Sequence, residues 1–192
     1  MNILLKTTLV AALTLSALAS HAQQKLLPAQ SEIRFISKQM GVPVEGRFKK
    51  FDAQISFDAT KLATSKVSFS VDIGSATLGA PEADAELPKP AWFNVAKFPQ
   101  ATFNSASIKA LGGGKFEVAG KLAIKGQSRD VTVPVTMVQT GAGSALVTTA
   151  SGTLPIKRLA YLIGEGEWSD TSTVADDVLI KFKFALNGIN KL

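Results

Sequence analysis

"VLIKFKFAL", residues 178–186, decides how this chain folds. Val178, Ile180, Phe182, Phe184 and Leu186 fall on one parity, with Lys181 and Lys183 on the other. A period of two belongs to a strand with one buried and one solvated face. The same rhythm recurs through the chain. Ile33 and Phe35 share a face, as do Phe51, Ala53, Ile55 and Phe57, then Val67, Phe69, Val71 and Ile73. Further along come Ala101 and Phe103, then Phe116, Val118, Leu122 and Ile124, then Val131, Val133, Val135 and Met137, and a strand through Val147 and Thr149. Short turns such as "DATK", "LGGGK" and "KGQSRD" separate them. About eight strands joined this way are mostly antiparallel.

The alternation predicts an all-β fold, and its persistence almost to the C-terminus favours a closed sheet over a long bare edge. An eight-stranded closed barrel has an interior that side chains fill or that one ligand occupies. A β-sandwich is the main rival. A membrane barrel would need aromatic girdles and a polar lumen. With one tyrosine, Tyr161, and two tryptophans, Trp92 and Trp168, the chain is poorly equipped for girdles.

Residues 1–22 read as a cleaved signal peptide: Lys6, an apolar run over 9–18, and the small-x-small site Ser20-His21-Ala22. Export to the periplasm follows as an expectation, with residues 23–192 as a single domain. The chain has no cysteine, and its one histidine is His21. The remaining chain therefore lacks the side chains of Ser-His-Asp, Cys-His and most zinc or copper sites. No metal or cofactor is expected. The net charge is +6, of which Lys6 supplies one unit. Aromatics are not interleaved with Arg/Lys clusters, so nucleic acid is not an expected partner.

Residues 81–103, "PEADAELPKPAWFNVAKFPQATF", break the strand rhythm with acids, prolines and an aromatic pair. The prolines keep this stretch out of a ladder. Its acidic start suits a solvated helix N-terminus. "GRFKKF", 46–51, sets Phe48 and Phe51 three apart, which reads as a bulge or corner at Lys49-Lys50, or as a basic rim. Ala150 and Gly152 share the inward parity of their strand, and Gly120 that of its own. Such small residues either make room for bulky phenylalanines or leave a cavity. "KRLAYLIGEGEW", 157–168, gathers Arg158, Tyr161 and Trp168 among glycines, as a packed turn or as a polar and aromatic rim.

"VEGRFKKFDAQISFD", "EADAELPKPAWFNVAKFPQATF", "VAGKLAIKGQSRDVTVPV" and "DDVLIKFKF" together resemble the YceI-like family of bacterial periplasmic proteins. The resemblance covers residues 23–192. The pairing of W-F-[ND]-x-x-x-F-P-x-A-x-F with G-x-L-x-I-[KR]-G is its most specific part. Gln39, ahead of Met40-Gly41, and Glu86, ahead of Leu87, stand where many relatives carry histidine.

The resemblance implies an extended, eight-stranded, lipocalin-like antiparallel barrel with a long apolar pore. A short helical segment at about 80–98 would cross one end. It also implies a long-chain amphiphile as ligand, such as a polyprenyl phosphate, a quinone tail or a fatty-acid derivative, bound without catalysis. The expected pore lining is Phe35, Phe51, Ile55, Phe69, Val71 and Phe103, with Val133, Ala150, Gly152, Ile180 and Phe182. Trp92, Phe93, Arg158, Tyr161 and Trp168 would form the mouth. Transient contact with a membrane surface fits this reading, and a homodimer is left open. The rival functions are a carboxylate-dependent lipid-modifying enzyme and a stress-linked interaction module.

Overall fold

The computed structural model describes residues 24–192, so the signal read over 1–22 lies outside the described residues. The expected strands are all present. They are β2 (Glu32–Gln39), β4 (Phe51–Ser56), β5 (Lys66–Asp72), β7 (Gln100–Gly112), β8 (Lys115–Ile124), β9 (Gln127–Thr140), β10 (Val147–Lys157) and β11 (Asp177–Asn187). Three more were not read from the sequence: β3 (Val42–Phe48) and the two-residue β1 (Lys25–Leu26) and β6 (Ala76–Thr77). All pairings are antiparallel, in the order β4-β5-β7-β8-β9-β10-β11-β2-β3-β6, with β1 on β11.

The sheet curls into a lipocalin-like barrel, but its backbone ladder does not run all the way round. β3 pairs β2, β4 pairs β5, and the two halves are joined covalently through the bend at Lys49-Lys50. That bend is the corner anticipated from Phe48 and Phe51. The Ser75 hydroxyl accepts from the amides of Lys49 (3.1 Å) and Lys50 (3.0 Å) and donates to the Asp72 carbonyl (2.6 Å). Backbone groups that lose ladder partners at the corner are thereby satisfied. On the other side, the Gln24 side chain exchanges two 2.7 Å bonds with the backbone of Phe57, hooking β1 to the end of β4.

Two hairpins turn in two residues with positive φ at both positions: Met40-Gly41 (47°, 81°) and Lys125-Gly126 (48°, 76°). This is the turn whose twist matches the strands it joins. It fixes register, and register fixes which parity faces in.

The interrupting stretch is less helical than expected. Only α1 (Pro81–Glu86) is helix, and hydrogen-bonded turns carry the chain from Leu87 to Phe98. Nor is the acidic start merely solvated. The Asp84 carboxylate accepts from the Thr77 hydroxyl and the Leu78 amide, tying α1 to β6.

Candidate functional site

Inward parity around the barrel leaves a cavity of about 510 Å³, within the roughly 300–1,000 Å³ of sites that take one small ligand. Its wall is almost wholly aliphatic and phenyl. All five inward residues of β11, from Val178 to Leu186, line it. Phe182 and Phe69 stack on either side of Phe184, at 5.1 and 4.4 Å between ring centroids. On the next two strands after β11 in the sheet, Phe35 of β2 contacts Phe48 of β3 at 5.3 Å. Ile33, Ile55, Val133 and Ala150 continue the wall.

The far end is closed by packing. Leu26, Phe57, Ile108, Phe116, Leu186 and Ile189 are all buried there, with Phe57 edge-on to Phe116 at 5.3 Å. The near end reaches the surface beside Met40, which is 79% exposed.

Two segments, 78–98 and 158–176, cross that near end. The Ala91 carbonyl joins them, accepting from the amides of Gly164 (2.9 Å) and Glu165 (2.8 Å). Trp92 of one segment lies 5.4 Å from Trp168 of the other. Two buried cations fasten the crossing. The Arg158 guanidinium, 2% exposed, donates to the carbonyls of Ala175, Ile163, Gly164, Trp168 and Val174 at 2.6–3.1 Å. Its five N–H groups are thus all engaged. Burial lowers its pKa, and it stays charged. The Lys125 ammonium bonds the Leu162 and Ala91 carbonyls and the Glu165 carboxylate, the last at 2.8 Å.

Of the residues named from the sequence as pore or mouth, all but Phe51, Gly152 and Tyr161 line the cavity. Phe51 packs outside it, 5.9 Å from Phe184. Tyr161, 2% exposed, is buried in the apolar cluster that the lid shares with Ala101, Leu122 and Ile124 of the barrel strands, under Arg129, whose guanidinium lies 5.7 Å from the ring. Burial raises the phenol's pKa. Gly152 has the right parity, but its space is already filled. A Cβ there would lie 2.3 Å from the Pro134 carbonyl oxygen and 2.6 Å from the Phe182 ring.

Gly120 meets the Phe103 ring and Gly46 the Phe35 ring in the same way. These inward glycines seat phenylalanines; they do not hollow the pore. Arg158 lines the cavity but organises the lid. Sequence reasoning missed Ser37, Val44, Phe48 and Glu86, which also line it. Extending the Ile33/Phe35 parity by one step would have found Ser37.

A family profile described as "YceI-like domain" matches residues 25–186. The chain belongs to the YceI-like family. Its fold superposes on Burkholderia cenocepacia BcnA with a TM-score of 0.78 and 46% identity, covering 83% of this chain and 98% of that one. A domain from Saccharophagus degradans, described as polyisoprenoid binding and implicated in plant cell wall breakdown, superposes with a TM-score of 0.67. It covers 87% of this chain and 99% of that one, at 17% identity, which speaks to the fold alone. A UPF0312 protein of Shewanella denitrificans is 34% identical over 114 residues, or 59% of this YceI-like chain. The chain spans 60% of that relative's length.

Proposed function

We propose that this YceI-like protein binds one long, apolar isoprenoid-type chain in the barrel cavity and carries it in the periplasm without chemistry. The observation that carries the reading is the cavity: one enclosed wall of aliphatic and phenyl side chains, reaching the surface beneath the lid. The family and the polyisoprenoid-binding description of the Saccharophagus domain support it. So does the exposure of Lys181 and Lys183, which puts charge outside and hydrocarbon inside. Each buried methylene is worth about 0.8 kcal/mol relative to water. A membrane offers the same chain nearly the same environment, so transfer between bilayer and barrel is close to neutral, as a carrier requires. Among the described residues, no group of three or more Asp, Glu, His or Cys is placed to hold a metal.

Native mass spectrometry of protein purified from its own cell envelope, followed by organic extraction, tests the reading. One extractable molecule with a long hydrocarbon tail per chain is the expected result. Bare protein that also refuses added isoprenoid lipid would contradict it.

A further inference from the structure

The outer face of β10, β11, β2 and β3 carries a charge that the rest of the surface lacks. Lys181 lies directly opposite Arg34, and Arg34 directly opposite Arg47, so three cations stand in one row across three strands. Like charges so placed cost stability. Glu32 and Glu45 offset that cost only at the centre of the row, by pairing with Arg34. Lys183 extends the patch toward the floor, and Lys38 extends it toward the mouth. Among the described residues, Lys38, Arg47, Lys181 and Lys183 have no carboxylate within ion-pair reach, and all four are exposed.

Counting Lys157, the outward positions of these four strands hold six cations against Glu32, Glu45 and Asp177. The corner adds Lys49 and Lys50, which share a surface groove with Arg34 and Arg47. The chain has 21 basic and 15 acidic side chains. With Lys6 set aside, the twelve basic ones elsewhere are matched by twelve acidic ones. The positive surplus of the described residues is thus one-sided.

Apolar groups lie among these cations. Leu179 is opposite Ile36 and Pro155 is opposite Leu179, all on the outward parity. The β2–β3 hairpin ends beside the cavity opening in Met40 and Val42, 79% and 63% exposed. Cations whose stems border apolar side chains suit a bilayer interface, where hydrocarbon and anionic head groups lie at different depths. A second copy of this chain would instead bring one positive surplus against another.

We propose that this face docks on a bilayer bearing anionic head groups, which brings the hairpin tip and the adjoining cavity opening to the membrane. The choice of a bilayer rests on the lipid-cavity reading, whereas the charge pattern is independent of it.

The test sediments purified protein with phosphatidylcholine vesicles, made with and without phosphatidylglycerol. Binding is expected only where phosphatidylglycerol is present, and it should fall as salt is raised. A cation at such a surface is worth about 1 kcal/mol, or about fivefold. Lys181→Gln combined with Lys183→Gln should therefore weaken binding about 25-fold. Lys109→Gln combined with Lys115→Gln makes the same charge change on β7 and β8, and should stay within about twofold. Equal losses in the two double variants, or no binding to phosphatidylglycerol vesicles, overturn the proposal. So does retention on soluble polyglutamate but not on vesicles, which would assign the face to an acidic protein. Uptake of a fluorescent polyene hydrocarbon, read on the same samples, should be unchanged in both double variants. Phosphatidylglycerol-dependent binding by protein that takes up no polyene would sink the cavity reading and still support the docking face.

Discussion

The two ends of the barrel are closed by different physics. At the far end, Phe57, Phe116, Ile108 and Leu186 interlock among apolar neighbours, and nothing there can part without exposing core. At the near end, two loop segments meet on one carbonyl and are fastened by buried Arg158 and Lys125. Hydrogen bonds to carbonyls can be exchanged for water at modest net cost, whereas buried hydrocarbon cannot. The lid also buries Leu87, Phe93, Tyr161 and Ile163 in an apolar cluster, so what sets it apart from the floor is the set of polar ties added to that packing.

Variants at the two ends should separate this difference, the largest effect coming from the floor. Phe57→Ala is expected to cost about 3–5 kcal/mol of global stability in urea unfolding, by removing a ring from a close-packed site. Amide exchange should rise throughout the barrel. Next comes Arg158→Met, which strips five carbonyls of their donor and should cost on the order of 3 kcal/mol. Exchange should quicken mainly at the amides of Ile163, Gly164 and Glu165. If Arg158→Met loosens the floor as much as the lid, the two ends are one cooperative unit and the comparison fails.

Lys125→Met keeps the aliphatic stem and loses the ties to Leu162 and Glu165. About 1–2 kcal/mol is expected, with the same local exchange pattern. The smallest effect is the pH dependence of the α1 tie. The Thr77 hydroxyl, and then the Leu78 amide, hold the Asp84 carboxyl below its ordinary value. A depressed folded pKa gives a contribution complete above about pH 4, lost as pH falls through the folded value. Asp84→Asn should melt below wild type at pH 6, with the gap narrowing toward pH 2. A gap constant across that range would show that the tie does not depend on charge.

Much of the architecture was legible from Val178 to Leu186 and its echoes, because one face buried and one solvated leaves a two-residue imprint. β3 was missed because its inward positions are Val44, Gly46 and Phe48. The glycine removes the apolar signal just where Phe35 lies across it. Gly152 has a neighbour of the same kind in Phe182, and parity alone cannot tell a seat for a ring from an empty pore. The stretch at 81–98 announced itself as an interruption, but nothing local separates six residues of helix from a run of turns. Lys125 reads as an ordinary hairpin lysine. Its burial comes from Ala91, Leu162 and Glu165, which are distant in sequence; the role of Arg158 likewise depends on carbonyls outside its own turn, at Trp168, Val174 and Ala175.

On the lipid-binding reading, the chain of the ligand lies inside the barrel, along the inward parity. Isotope-edited nuclear Overhauser spectroscopy, with labelled protein methyls and an unlabelled C20 isoprenoid hydrocarbon, tests it most directly. Cross-peaks are expected from the methyls of Ile33, Ile55, Val133, Ala150 and Ile180, which line the cavity. None are expected from Leu111 and Val138, which are 53% and 54% exposed. Cross-peaks confined to Leu111 and Val138, with the inward methyls silent, would place the lipid on the outside and contradict it.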